Sequence, residues 1–269
     1  MRIPPRLVGS LAVPTLVGLG ACSPTAPAPP GAEVVLPPAD APFDYQIGQP
    51  YMPHPETRVV SRDREAEPVP DAYNICYVNA FQAQPHELSM WEAEHPDLLL
   101  RDGGGYVVDD EWDEVLLDIS TPTARRALAE VAGGWFDGCA ADGFDAVEPD
   151  NLDSYTRSGG LLTPADASEF AALLAAEAHA AGLAIAQKND TGLAPQGRTV
   201  GFDFAIVEEC NRWSECDAFT ATYGSLVFVV EYREDDFDAG CTRWPGLSIV
   251  QRDREVTAPG SSSYRYAAC

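Results

Sequence analysis

The chain has 269 residues, of which 45% are hydrophobic, and its formal net charge at pH 7 is −25. This length and hydrophobic content suit one large domain with a full core better than two small domains. The negative charge argues against nucleic acid as a partner, because the phosphate backbone would be repelled. A cationic polymer would be attracted to such a surface, although acidity also serves solubility alone.

The first residues predict an export signal. Arg2 and Arg6 precede an apolar run at residues 7–19, which is too short to span a bilayer as a permanent helix. The run ends in Leu-Gly-Ala-Cys, which resembles a bacterial lipobox with Cys22 as the lipidated first residue of the mature protein. The alternative is an ordinary secretory signal that contains a cysteine. We expect residues 1–21 to be a signal peptide and lipid at Cys22 to be the membrane attachment of an exported, monomeric protein.

Residues 22–42 are rich in Pro and Ala, a composition that predicts an extended tether to one folded domain at residues 43–269. Six of the seven cysteines lie in this domain. An even number in an exported chain predicts up to three disulfides, with 15 pairings possible. Cys210 and Cys216 are close in sequence and form the one pair that we predict. The four histidines have no metal-ligand spacing with one another or with the cysteines, so no metal or cofactor is expected.

From Phe43 onward, short apolar runs alternate with helical patterns, which is typical of β/α architecture. The clearest helix has Thr163 as N-cap and Pro164 at its first position, and it ends at Gly182. A second helix is predicted at residues 123–137. Eight or nine strands favour a single α/β domain with a TIM-like (β/α)8 barrel. The predicted strands cover residues 43–47, 58–61, 73–78, 115–118, 144–148, 183–187, 204–207, 226–231 and 247–251.

Polar residues recur where these predicted strands end. They are Asp63, Asn79, Asp118, Glu148 with Asp150, Lys188 with Asn189, Glu208, and Glu231 with Tyr232. In TIM barrels the active-site residues lie at the carboxyl ends of the strands, where the βα loops begin. Each of these residues alone could be a structural hydrogen-bonding group. Their joint pattern predicts an active site at this end of the barrel.

The densest cluster is Glu148-Pro149-Asp150. Pro149 lacks an N–H group and should mark the point where the strand opens into its loop, which would hold Asp150 over the barrel mouth. A second acidic cluster, Glu208-Glu209, also follows an apolar run. Two carboxylates from separate strands are what the cleavage of a glycosidic bond requires.

Several neighbouring residues are candidates for substrate binding. Glu148 and Glu231 would attract a substrate amine, and Lys188, the only lysine, could hold a neighbouring carboxylate ionised. Ligands for sugar hydroxyls would come from Asn151, Asp153 and Tyr155, although the first two could instead cap a turn. Candidates for stacking on sugar faces are Tyr77, Tyr155, Trp213 and Tyr232, although aromatic residues at strand ends are at least as often part of the core.

A set of longer stretches resembles a known family in sequence and in order. The longest stretch, residues 142–155, reads Asp-Gly-Phe-Asp-Ala-Val-Glu-Pro-Asp-Asn-Leu-Asp-Ser-Tyr. The others are residues 75–77, 116–119, 178–183, 188–189, 207–210 with Cys216, and 227–232. Over residues 43–256 the chain resembles glycoside hydrolase family 114, the endo-α-1,4-polygalactosaminidases. The loop after Tyr77, at residues 78–87, departs from the usual family pattern.

The resemblance implies a TIM-like barrel that cuts α-1,4-linked galactosamine polymers internally with one Asp and one Glu. By motif, these are Asp150 and Glu208. Glu209 stands where the family often has Gln and, by strand alternation, should point away from the site.

We expect a retaining reaction, in which Asp150 attacks the anomeric carbon and Glu208 protonates the leaving oxygen. This scheme requires the carboxyl groups to be about 5–5.5 Å apart, whereas a separation of about 6.5–9.5 Å would indicate inversion. Two other functions stay open. One is a surface lipoprotein that binds a cationic glycan without cutting it. The other is a metal-dependent hydrolase or deacetylase, although such sites usually add histidines at a spacing that this chain lacks.

Overall fold

The computed structural model describes residues 34–269. The predicted signal peptide, Cys22 and residues 23–33 of the predicted tether lie outside the described residues. No helix in the described part of the chain is long and apolar enough to cross a membrane.

The described residues form three β-sheets, and the largest contains nine strands in the order β1-β2-β3-β9-β10-β11-β12-β13-β14. The strands are β1 (Phe43–Gln46), β2 (Val59–Asp63), β3 (Tyr73–Asn79), β4 (Gln82–Ala83), β5 (Arg101–Asp102), β6 (Gly105–Tyr106), β7 (Val108–Asp109), β8 (Glu114–Leu116), β9 (Ala146–Asp150), β10 (Ala184–Lys188), β11 (Phe204–Glu208), β12 (Val227–Glu231), β13 (Ser248–Arg252) and β14 (Tyr266–Ala268). Eight strands of the large sheet run parallel, and β14 pairs antiparallel with β13. The eight parallel strands curve into a nearly closed barrel, as the sequence predicts.

The remaining gap of the barrel lies between β1 and β13, and contacts of β1 and of the residues just before it bridge this gap. The backbone N–H of Ala41 donates to Ser248 Oγ at 3.0 Å, and Arg252 Nη1 lies 3.4 Å from Asp44 Oδ1. Arg252 and Asp44 are both fully buried. Such a pair depends on both partners, because the loss of one would leave an uncompensated charge inside the protein.

Side chains alternate along each barrel strand between the interior and the surrounding helices. On β11, Phe204 and Ile206 belong to the apolar cluster inside the barrel, whereas Ala205 and Val207 pack in the outer cluster. Glu208 continues the inward-facing set. The same alternation on β9 and β10 directs Glu148, Asp150 and Lys188 inward at one end of the barrel.

The prediction that residues 115–118 form the fourth strand of the barrel is wrong. Val115 and Leu116 instead belong to β8, which pairs antiparallel with β4 and β7 in a separate three-stranded sheet. Asp118 follows this strand, and its Oδ1 accepts a hydrogen bond from the backbone N–H of Ser120, before the helix that begins at Pro122. A short apolar run does not specify which sheet it joins, because pairing partners are set by distant parts of the chain.

The helices of the described chain include the two that the sequence predicts. They are α1 (Leu88–Glu94), α2 (Pro122–Asp142), α3 (Pro164–Ala180), α4 (Gly197–Val200), α5 (Cys210–Trp213), α6 (Cys216–Tyr223) and α7 (Glu234–Arg243), with short 3-10 helices at Pro96–Leu98, Ser154–Arg157 and Ala194–Gln196. Thr163 caps α3 in a capping box with Asp166. Helix α2 runs five residues beyond its predicted end and stops at Gly143, whose φ of 97° suits glycine.

All six cysteines of the predicted domain form disulfides: Cys76–Cys139, Cys210–Cys216 and Cys241–Cys269. The predicted Cys210–Cys216 pair is confirmed.

The last part of the predicted tether lies against the barrel. Ala41 is buried, and the Tyr73 hydroxyl donates to the carbonyl oxygen of Val35 at 2.7 Å. Val35 and Ala41 therefore contact the barrel, although both lie in the range predicted as tether.

Candidate active site

The carboxyl ends of the parallel strands surround a cavity of about 520 Å³. Eight of the predicted site residues line it: Tyr77, Asp150, Asn151, Asp153, Lys188, Asn189, Glu208 and Tyr232. Neighbouring strands of one parallel sheet therefore bring these residues together, although they are up to 155 positions apart along the chain.

Lys188 lies at the base of the cavity and is 1% exposed. Its Nζ is 3.1 Å from Asp150 Oδ2, 3.4 Å from Glu208 Oε2 and 3.3 Å from Glu148 Oε1. Burial by itself would lower the pKa of Lys188, but these carboxylates, with Asp150 first, raise it well above the usual value. The side chain therefore joins three acids through one buried amine.

The shared ammonium limits the separation of the two acids that the motifs single out. Because Asp150 Oδ2 and Glu208 Oε2 both contact Lys188 Nζ, the two oxygens are no farther apart than the sum of the two contact distances, about 6.5 Å. One small group, such as a glycosidic linkage, can therefore contact both carboxylates.

Asp150 is held by donors on both of its oxygens. The Tyr77 hydroxyl donates to Oδ2 at 2.9 Å, and the backbone N–H of Asn151 donates to Oδ1 at 2.7 Å. Burial raises the pKa of Tyr77 well above its usual value, so this phenol stays a donor. Together with Lys188, these groups fix the orientation of the Asp150 carboxyl group.

Glu208 is held by a different set of groups. Asn189 Nδ2 donates to Glu208 Oε2 at 3.1 Å, while Asn189 Oδ1 accepts from the backbone N–H of Glu208 at 2.8 Å. The Tyr232 hydroxyl donates to Glu208 Oε1. Glu208 is 26% exposed, compared with 15% for Asp150, so it has the greater access to solvent.

Three strands that carry site residues at their ends are followed at once by a residue in the left-handed region. These residues are Asn151 with φ 70°, Asn189 with φ 49° and Glu209 with φ 55°. Asparagine tolerates this conformation, whereas glutamate adopts it rarely. The turn at Glu209 ends the strand alternation, and Glu209 lines the cavity beside Glu208. The prediction that Glu209 points away is therefore wrong.

Glu148 lies beneath the cavity, and its side chain is fully buried. It accepts hydrogen bonds from the Tyr45 hydroxyl at 2.8 Å and the Ser61 hydroxyl at 2.5 Å. Burial raises the pKa of Glu148 to about 7. With both oxygens engaged by buried donors, Glu148 does not reach the position from which it would bind a substrate amine.

Three other predicted residues do not line this cavity. Glu231 faces outward from β12, and its Oε1 accepts from the backbone N–H of Asn211 at 2.8 Å. Asp63 accepts from the backbone N–H of Glu65 at 2.8 Å, and Asp118 occupies the turn described above. A fourth, Tyr155, lines an adjoining cavity instead. The predicted stacking residue Trp213 is exposed but lines neither cavity.

Other lining residues were not predicted. They include Gln84, Asp109, Glu111, Trp112 and Glu114 from the region of the small sheet, and Ile47, Gly48, Arg157, Arg254, Glu255 and Val256 from loops of the barrel. Asn79 links this wall to the site, since its Nδ2 donates to Glu114 Oε2 at 2.8 Å and its Oδ1 accepts from Asn151 Nδ2 at 3.1 Å. The departure from the family pattern at residues 78–87 was the only sequence signal near this wall.

One group of described residues, Glu65, His86 and Glu87, has possible metal-ligand atoms within 4.8 Å of one another. It does not line the cavity. Between Asp150 and Glu208, the positive charge is supplied by Lys188.

The fold resembles two solved structures. One is the crystal structure of Ega3 from Aspergillus fumigatus in complex with galactosamine, with a TM-score of 0.69 and 21% identity over 88% of this chain and 98% of that chain. The other is the glycoside hydrolase domain of PelA from Pseudomonas aeruginosa, with a TM-score of 0.55 and 14% identity over 84% and 98% of the respective chains. A search of curated proteins found no match.

The sequence model of glycoside-hydrolase family GH114 matches residues 23–269, and this range includes the whole barrel and every residue of the cavity. The resemblance that the motifs indicate is thereby confirmed. The chain belongs to glycoside-hydrolase family GH114 and is an O-glycoside hydrolase.

Proposed function

We propose that this protein cleaves internal α-1,4 linkages of a galactosamine-containing polysaccharide, with Asp150 and Glu208 as the catalytic pair. The observation that carries the proposal is the contact of Lys188 Nζ with both carboxylates within 3.4 Å, inside a cavity at the carboxyl ends of the barrel strands. The galactosamine bound in the structure of Ega3 supports the choice of sugar.

The charge of the cavity also supports an amino sugar as substrate. Besides the catalytic pair, the lining includes six further acids: Asp109, Glu111, Glu114, Asp153, Glu209 and Glu255. The two lining arginines, Arg157 and Arg254, are each paired with acids of this wall. The excess of negative charge would concentrate a cationic polymer at the cleft.

In the proposed reaction, Asp150 attacks the anomeric carbon while Glu208 gives a proton to the departing glycosidic oxygen. Asp150 loses its negative charge as the glycosyl ester forms, and Glu208 gains one as its proton leaves. Lys188 contacts both groups, so an anionic carboxylate faces its ammonium before and after the step. The protein therefore needs little rearrangement to stabilise the moving charge. Glu208 then takes a proton from the water that hydrolyses the ester.

The close approach of the two Lys188-bound oxygens is compatible with the retaining arrangement, in which the carboxyl groups lie nearer to each other than in inverting enzymes. The upper limit of about 6.5 Å between the two Lys188-bound oxygens coincides with the lower end of the range for inverting enzymes, and shorter values approach the roughly 5–5.5 Å of retaining enzymes. We therefore assign Asp150 as nucleophile and Glu208 as acid and base.

We further propose that the protein is exported and anchored by lipid at Cys22. The three disulfides support an oxidising compartment.

The central experiment incubates the purified protein with galactosamine polymer and, in parallel, with glucosamine polymer, and sorts the fragments by mass. Short oligomers from the galactosamine polymer alone are expected. Asp150→Asn should abolish fragment release yet still bind the polymer in a sedimentation assay. Glu130→Gln, an exposed change that lines neither cavity, is the matched control.

The stereochemistry is read by NMR of the first product, whose anomer should be α. Fragment release by Asp150→Asn at the wild-type rate would reject the assignment of Asp150. Binding of polymer by the wild type with no fragments would instead favour the glycan-binding lipoprotein.

A further inference from the structure

A second cavity of about 500 Å³ adjoins the first on the side of the β9, β10 and β11 loops. Its lining includes Tyr155, Asp190, Thr191 and Glu215, none of which lines the first cavity. The second cavity is therefore a distinct space.

The two cavities share Asp153, Asn189 and Glu208. Asp150 and Lys188 line only the first cavity. The proposed nucleophile, Asp150, therefore lines the first cavity alone. The proposed acid, Glu208, lies in the wall between the two cavities.

The different positions of Asp150 and Glu208 relative to the two cavities determine the direction in which a polymer can bind for cleavage. The nucleophile must reach the anomeric carbon, so the sugar that carries that carbon has to lie in the first cavity with Asp150. The acid must reach the oxygen that bridges this sugar to the next one. Since Glu208 faces both cavities, the bridging oxygen lies at the wall, and the following sugar extends away from Asp150.

We propose, resting on the function proposed above, that the second cavity is the subsite for the leaving-group side of the polymer. The chain then runs from the first cavity, past Glu208, into the second, with its reducing end toward the second cavity. The ligand of this subsite is an amino sugar of the departing fragment.

The lining suits that ligand. Carboxylates of Asp153, Asp190 and Glu215 offer charge for an amine, and Tyr155 offers both a ring face and a hydroxyl, which donates to Asp190 Oδ1 at 3.4 Å. The wall is also held in place covalently, because Glu215 lies in the short loop closed by the Cys210–Cys216 disulfide. A fixed wall reduces the ordering that sugar binding would otherwise require.

The test separates the two cavities with two substrates. α-Galactosaminyl fluoride places a sugar in the first cavity only, because fluoride is too small to fill a sugar subsite. Galactosamine polymer requires both cavities. Thr191→Trp puts a bulky ring into the second cavity at a half-buried position that lines only that cavity.

For Thr191→Trp we expect kcat/KM on the polymer to fall by about tenfold or more, with hydrolysis of the fluoride within about twofold of wild type. Glu215→Gln is the milder second variant, since its exposed side chain can change without disturbing the core. It should raise KM for the polymer about threefold and leave the fluoride reaction unchanged. Glu130→Gln should alter neither reaction.

Equal losses on both substrates, or no loss on the polymer with either variant, would overturn the subsite assignment while leaving the proposed function standing. If the wild type hydrolyses neither substrate, the proposed function itself fails, and the subsite fails with it.

Discussion

Strands β11 and β12 lie side by side and both end in glutamate, yet the two acids have different surroundings. Glu208 faces the interior of the barrel and contacts Lys188, Asn189 and Tyr232. Glu231 faces the other way, toward the backbone N–H of Asn211. The register pairs Glu208 with Val230, so the inward position on β12 falls to Val230 and then to Tyr232. At the ends of these two strands, only the acid of the inward-facing set lines the cavity.

Neutralising each acid in turn tests whether Glu208 and Glu231 differ in function as they differ in surroundings. Glu208→Gln should lower kcat on the polymer by on the order of 10³-fold, because in the proposed mechanism the leaving oxygen loses its proton donor. Glu231→Gln should keep kcat within about threefold of wild type. Steady-state kinetics on galactosamine polymer measures both. Comparable losses of kcat in the two variants would show that a glutamate's inward or outward direction does not determine its role in catalysis.

Replacing Lys188 tests how far the inward-facing acids depend on its positive charge. Lys188→Met should lower kcat by about 10²-fold or more, and it should reduce the free energy of unfolding by about 3–5 kcal/mol because buried carboxylates lose their counter-ion. The double variant Lys188→Met with Glu148→Gln should recover part of the stability and none of the activity. Chemical denaturation and kinetics supply the readouts. Full stability of the single variant would contradict the proposed role of the ammonium.

We expect Glu231 to affect the pH dependence of the free energy of unfolding rather than the rate of turnover. Burial raises its pKa to about 7 in the folded protein, above the usual carboxyl value of about 4.5. The folded state therefore favours the protonated form, and its contribution to stability is complete below about pH 4.5 and is lost as the pH rises through 7. Glu231→Gln should flatten the decline in unfolding free energy between pH 5 and 8 by about 2–3 kcal/mol.

The measurement is denaturant unfolding of wild type and Glu231→Gln at several pH values. An unchanged pH slope in the variant would mean that Glu231 is ionised in the folded state. Glu130→Gln, which changes an exposed acid, serves as the matched control and should leave the slope as in the wild type.

The smallest expected effect concerns Glu209, the acid next to Glu208. Glu209→Gln keeps the shape of the side chain and removes one charge from the cavity wall, where Arg212 already compensates part of it. We expect KM for a cationic polymer to rise about twofold to threefold, with kcat unchanged and a weaker dependence of KM on salt. A loss of kcat instead would place Glu209 in the catalytic machinery.

Much of the candidate site follows from local sequence features. Asp150, Lys188 and Glu208 each end an apolar run, and the inward parity of Phe204, Ile206 and Glu208 can be counted along one strand. The same counting could have excluded Glu231, because Phe228, Val230 and Tyr232 form the inward set of β12. It could not have placed Glu209, whose left-handed backbone follows from the turn into α5.

Four features can be predicted from the residues alone: the barrel, the capped helix α3, the Cys210–Cys216 disulfide and the strand ends at which polar residues gather. These features depend on periodicity and on neighbours close along the chain. Three other features require the folded domain: residues 114–116 pair in a small sheet outside the barrel, Glu148 is buried beneath the cavity, and Lys188 joins three acids. Each of these depends on contacts between residues far apart in sequence, and the register of distant strands is set by the packing of the whole domain.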